Sequence, residues 1–102
     1  MGKYDAINAH NTARARAAGW PELTGTAEQL GWANTVRQTK LDEFDAGATA
    51  EPERSVIRAV LLRETQAGVW LDHRNHPWGA VWWRNLTDEE RETVLPATQD
   101  QA

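Results

Sequence analysis

Two helical stretches of this chain each carry one charge where an apolar residue belongs, and that pair of misfits constrains the fold most. The first stretch opens at Thr26. Thr26 and Gln29 have capping-box spacing, in which the hydroxyl accepts the N–H three residues on and the glutamine accepts the threonine N–H in return. A helix is therefore predicted over about 27–46, with Gly47 following its C-terminus. Leu30, Ala33, Leu41 and Phe44 recur along one face at three- and four-residue steps. Arg37 falls in the middle of that face.

The second stretch begins near Glu51, with Pro52 tolerated in the first turn. Val56, Ile57, Val60 and Leu61 mark its buried face, and the same phase continues through Ala67, Leu71 and Arg74. Gly68 costs roughly 1 kcal/mol relative to alanine but leaves the phase intact. One helix to about His73, kinked at the glycine, is predicted; the alternative is a break at Gly68 and an extended piece over 69–72. Glu64 lies inside the apolar arc. Opposite misplaced charges on neighbouring helices predict a buried ion pair, Arg37 with Glu64, because a buried charge must be compensated. In the competing arrangement Arg37 lays its stem on the core and holds its guanidinium at the edge.

The other segments are shorter. Residues 3–18 read as an Ala-rich helix with a weak apolar pattern, solvated arginines at Arg14 and Arg16, and a stop at Gly19. Trp20-Pro21 forces an extended turn. Residues 75–79 form a loop, and 80–86 read as a strand or a buried connector, although a lone strand has nothing to pair with. Thr87 and Glu90 make a second capping box, for a helix reaching about Leu95 and stopped by Pro96. The expected fold class is all-α: a compact bundle of about four helices with the two strong helices as an antiparallel centre. The tryptophan-rich segment would pack across them. Residues 1–96 would form one domain and 97–102 a disordered tail.

A chain of 102 residues supports one small core. It has no cysteine, which excludes disulfides and thiolate metal sites and fits a reducing cytoplasm. No apolar run approaches a membrane span and the N-terminus has no apolar leader core, so a cytoplasmic protein without membrane contact is expected. The net charge of −4 is uneven: residues 1–41 sum to +2 and residues 42–102 to −6. Nucleic-acid binding by a basic face is disfavoured, whereas a basic protein, such as a nucleic-acid-binding host complex, would be attracted.

Six tryptophans accompany one Phe and one Tyr. Trp32 and Trp70 lie at facing margins of the two strong helices and are predicted to be structural. Trp78 sits in the loop His76-Pro-Trp-Gly79 and is predicted to be an exposed partner anchor, with Asp88, Glu89 and Glu92 as its acidic rim. Trp78, Trp82 and Trp83 with Arg84 would also make a base-stacking cluster, but core packing or protein contact explains them with fewer cations.

Asp72, His73 and His76 are the only cluster with metal-ligand character. Asn75 and Pro77 mark a turn that breaks helical spacing there, so no metal or other cofactor is expected and a metal-dependent enzyme is the minor alternative. Asp88, Glu89, Glu90 and Glu92 are most simply the acidic first turn of a capped helix. There is no phosphate-cradling glycine loop, nucleophile elbow or catalytic cysteine, and no enzymatic activity is expected.

The stretch Leu23, Gly25, Thr26, Gln29, Trp32, Ala33, Val36, Arg37 resembles a Leu-x-Gly-Ser/Thr-x-x-Gln-x-x-Trp-Ala-x-x-Ile/Val-Arg motif carried by small proteins and domains of phages, plasmids and other mobile elements. Those proteins often carry an aromatic–aliphatic–Asp-x-Arg stretch downstream, matched here by Trp70, Leu71, Asp72 and Arg74. The resemblance covers about half the chain. It implies a small accessory protein of a mobile element; together with the small size and acidity, the most concrete form expected is an anti-CRISPR type inhibitor that blocks a host nucleic-acid-targeting complex. A small DNA- or RNA-binding module is the runner-up.

Overall fold

The structure, a computed structural model, describes residues 4–92. The expected tail and the end of the last helix lie outside the described residues. Within them the chain is all-α, as expected, with no strand.

Helix α1 (Asp5–Ala17) ends two residues before Gly19, whose φ of +75° favours glycine. Helix α2 (Ala27–Ala46) starts as its sequence demands: the Gln29 N–H donates to Thr26 Oγ1 at 3.2 Å and the Thr26 N–H donates to Gln29 Oε1 at 3.0 Å. At its other end Gly47 is extended, not left-handed, so the helix lacks the usual glycine cap.

The predicted second long helix is divided into α3 (Glu53–Arg63) and α4 (Ala67–Asp72). The break lies at 64–66 rather than at Gly68, and 69–72 is helical, not extended. Tertiary hydrogen bonds cause it. The Thr24 N–H donates to the Thr65 carbonyl at 2.7 Å, and the Ala67 N–H donates to the Thr24 carbonyl at 2.9 Å, which makes a parallel bridge between Thr24 and Gln66. A continuous helix would use those groups within itself. The close approach also accounts for Gly25: a Cβ there would lie 2.8 Å from the Ala67 Cβ.

Glu64 organises the break. Its backbone carbonyl accepts the Trp70 indole N–H at 2.9 Å. Its carboxylate accepts the Gln66 N–H and the Asn85 side-chain amide, each at 3.2 Å. A charge thus sits in an apolar arc because it satisfies donors that the interruption exposes.

Arg37 and Glu64 are both buried, at 1% and 5% exposure, but the predicted pair between them is replaced by separate partners. Arg37 Nη1 donates to the Pro21 carbonyl at 2.8 Å and Nη2 to Asn34 Oδ1 at 3.0 Å. The guanidinium lies 5.3 Å from the centre of the Trp20 ring. Its Nε has no hydrogen-bond partner among the described residues. Burial lowers the Arg37 pKa to about 10, against the opposing pull of the Glu22 carboxylate, so it stays cationic at neutral pH. The Trp20-Pro21 turn covers Arg37, while the Gln66 N–H and the Asn85 side-chain amide hold Glu64. The edge-seeking alternative fails too, because the guanidinium itself is buried.

Residues 80–85 are helical rather than a strand or irregular connector: α5 (Gly79–Trp82) runs into a 3-10 turn (Trp83–Asn85), and Leu86 leaves it extended. The second capping box forms, with the Thr87 N–H donating to Glu90 Oε1 at 2.9 Å and the Glu90 N–H donating to Thr87 Oγ1 at 3.2 Å. Helical residues 88–92 follow it.

The core joins Leu41 and Phe44 of α2, Ile57, Val60 and Leu61 of α3, Ala67 and Trp70 of α4, and Val81 and Trp82 of α5. α2 packs most extensively on α1 and α4, while α3 packs on α5 and on α2. The centre is therefore α2 against the two pieces of the expected second helix, α4 more extensively than α3. No helix among the described residues is long and apolar enough to cross a membrane.

Candidate partner-binding surface

Trp78 is not the exposed anchor that its loop position predicts. Its carbonyl accepts the Val81 N–H at 3.0 Å, so it forms the first turn of α5. Its half-buried ring meets Phe44 edge-on at 4.9 Å and Trp82 at 5.9 Å. With 79–85 helical and Trp78 and Leu86 flanking it, Trp78, Val81, Trp82 and Leu86 follow one another at one-, three- and four-residue steps and pack inward. Trp83 is then turned outward.

Trp83 is 42% exposed. It is held by an edge-on contact with Trp82 at 5.7 Å and by the Arg91 guanidinium, 5.4 Å from its ring centre. The segment that follows is tied to α3. Arg63 forms a two-pronged ion pair with Glu90, and its Nη1 also donates to the Asn85 carbonyl at 3.3 Å. The Arg63 hydrogen bond, followed by the Thr87 cap, lowers the Glu90 pKa to about 2. The same bond raises that of Arg63.

Asp88, Glu89 and Glu92 are exposed on this segment, as the acidic-rim reading requires. Acids and a tryptophan thus share one braced stretch of chain, and the exposed tryptophan on it is Trp83 rather than Trp78. The helical period of Trp78, Val81, Trp82 and Leu86 was the signal that marked Trp83 as the outlier.

The tryptophans predicted to be structural divide. Trp70 is fully buried. Trp32 is 43% exposed and meets Tyr4 with its ring tilted and the ring centres 5.1 Å apart. α1 lies along the Gly31 and Thr35 face of α2, which leaves Trp32 on the rim of an open groove of about 660 Å³. Asn8, Thr12, Arg16 and Glu28 also line that groove.

Asp72 is exposed, while His73 and His76 face each other with their Nδ1 atoms 2.9 Å apart. Among the described residues no three His, Cys, Asp or Glu side chains gather as a metal site. Of the Asp72, His73 and His76 cluster considered as the minor alternative, the two histidines alone meet.

No protein family, curated protein or solved structure matches the chain.

Proposed function

We propose that this chain is a non-enzymatic accessory protein of a mobile element that binds a basic host protein, in its most concrete form an inhibitor of a nucleic-acid-targeting complex. The observation that carries the reading is the half-exposed Trp83, held by Trp82 and Arg91, on the same stretch of chain as the exposed acids Asp88, Glu89 and Glu92. A rigid tryptophan supplies desolvated contact area, and surrounding acids speed the approach of a basic surface.

The distribution of cations supports a protein over a nucleic acid. Arg16, Lys40, Arg54, Arg58 and Arg63 are paired with carboxylates, and Arg37 is buried. A phosphate-binding face needs its cations available. The chain as a whole carries −4.

The test is affinity capture from the host with the parent chain, Trp83→Ala, and the double reversal Asp88→Lys with Glu92→Lys. A basic protein should be held by the parent, released faster by Trp83→Ala, and joined more slowly and with altered salt dependence by the double reversal. Equal binding by all three folded proteins would move the function to another face. Salt-sensitive binding of DNA or RNA by the parent would replace this reading with a nucleic-acid-binding one.

A further inference from the structure

The geometry points to a two-histidine site for one divalent transition-metal ion at the turn after α4, formed by His73 and His76. The Nδ1 atoms approach to 2.9 Å with the rings inclined at 52°. Two imidazole nitrogens, each about 2.05 Å from an ion and subtending about a right angle, stand about 2.9 Å apart; a tetrahedral angle would need about 3.3 Å. The spacing brings both nitrogens within reach of a single ion, and nickel(II) and copper(II) stand high in the order of divalent affinity for imidazole nitrogen.

The backbone fixes the pair. The His73 N–H donates to the Val69 carbonyl at 3.2 Å, and the His76 N–H donates to the His73 carbonyl at 2.9 Å. The turn that breaks helical spacing in the sequence is what brings the rings together. The neighbouring cation is turned away, with Arg74 Nη1 donating to the Leu71 carbonyl at 2.7 Å. In the metal-free chain one Nδ1 donates its proton to the other. Binding needs both rings as the neutral Nε2–H tautomer: the ring that carried its proton on Nδ1 gives it up to solvent and takes one back on Nε2, and a modest rotation of the rings aims both Nδ1 lone pairs at the ion. Water fills the remaining coordination positions, because no third protein ligand gathers there among the described residues.

The test titrates nickel(II) alone and zinc(II) alone into the full chain by calorimetry, with His73→Gln, His76→Gln and His10→Gln as variants and circular dichroism as the fold check. One nickel ion per chain is expected, held about tenfold or more tighter than zinc. Each of His73→Gln and His76→Gln should weaken nickel about tenfold or more, while His10→Gln leaves it within about twofold. Both turn variants keep the core intact and should retain the parental spectrum. Absence of nickel binding, a preference for zinc, or nickel binding that survives either turn variant would overturn the assignment. None of these outcomes bears on the Trp83 surface, so the two readings stand or fall separately.

Discussion

Two seams meet on α2, and they are built from different chemistry. On one side Ala33, Leu41 and Phe44 belong to a cluster that includes Trp70, Leu61 and Val60. On the other, α1 presents Asn8, Asn11 and Ala15 as its buried residues. There the Thr35 hydroxyl accepts from the Asn11 side-chain amide at 3.1 Å and donates to Asn8 Oδ1 at 2.7 Å. The first seam gains from burying area, at about 25 cal/mol per Å², whatever the detailed geometry. The second depends on satisfied bonds, since a buried polar group without a partner is costly. The difference teaches that one helix can be fixed to its domain by non-directional burial on one face and by specific hydrogen bonding on the other.

The largest expected effect tests the apolar seam. Trp70→Ala removes a fully buried ring and its bond to the Glu64 carbonyl, and should cost roughly 3–5 kcal/mol in denaturant titration, enough to unfold a domain of this size. Trp32→Ala, on the rim of the other seam, should cost only about 1 kcal/mol, mainly its contact with Tyr4. Similar losses for the two tryptophans would erase the contrast.

Thr35→Val comes next. It keeps the shape of the side chain but strands the Asn8 and Asn11 side chains, each less than 9% exposed, at a cost of about 1–3 kcal/mol. Hydrogen exchange should show α1 amides losing protection while those of α4 keep theirs. Uniform loss across the chain would mean that the seams form one cooperative unit.

The smallest effect belongs to neither seam but to the surface brace between Arg63 and Glu90. A carboxylate whose folded pKa is depressed adds stability that is present above its unfolded pKa and lost as pH falls through the folded value. For Glu90 the window runs from 4.5 down to about 2. Glu90→Gln should flatten the pH dependence of stability within that window, measured by denaturant titration. An unchanged slope would show that the brace contributes nothing beyond the two seams.

The two seams also differ in how legible they were. The apolar one was readable because Leu41, Phe44, Ile57, Val60 and Leu61 repeat at helical spacing, and only burial explains that repeat. The polar one was not: asparagines and threonines on an Ala-rich helix look the same whether solvated or bonded to a neighbour. The same limit applied to the candidate surface. The capping box ahead of the acids of 88–92 was legible, but the exposed aromatic is Trp83 rather than Trp78 because 79–85 was read without its helical period.

By itself the sequence determined the all-α class, the start of α2 at its Thr26 and Gln29 cap, the second cap at Thr87, and the burial of Arg37 and Glu64 inside apolar arcs. These follow from contacts within about four residues, which local periodicity and capping chemistry specify. Tertiary structure decided which partners those buried charges took and where the second helix broke. It also decided which tryptophans reached the surface. Each of those outcomes depends on groups distant in the chain: Pro21 with Arg37, Asn85 with Glu64, Thr24 with Thr65 and Ala67, and Trp78 against Phe44. A local pattern can require that a charge be compensated, but only the folded chain selects the group that does it.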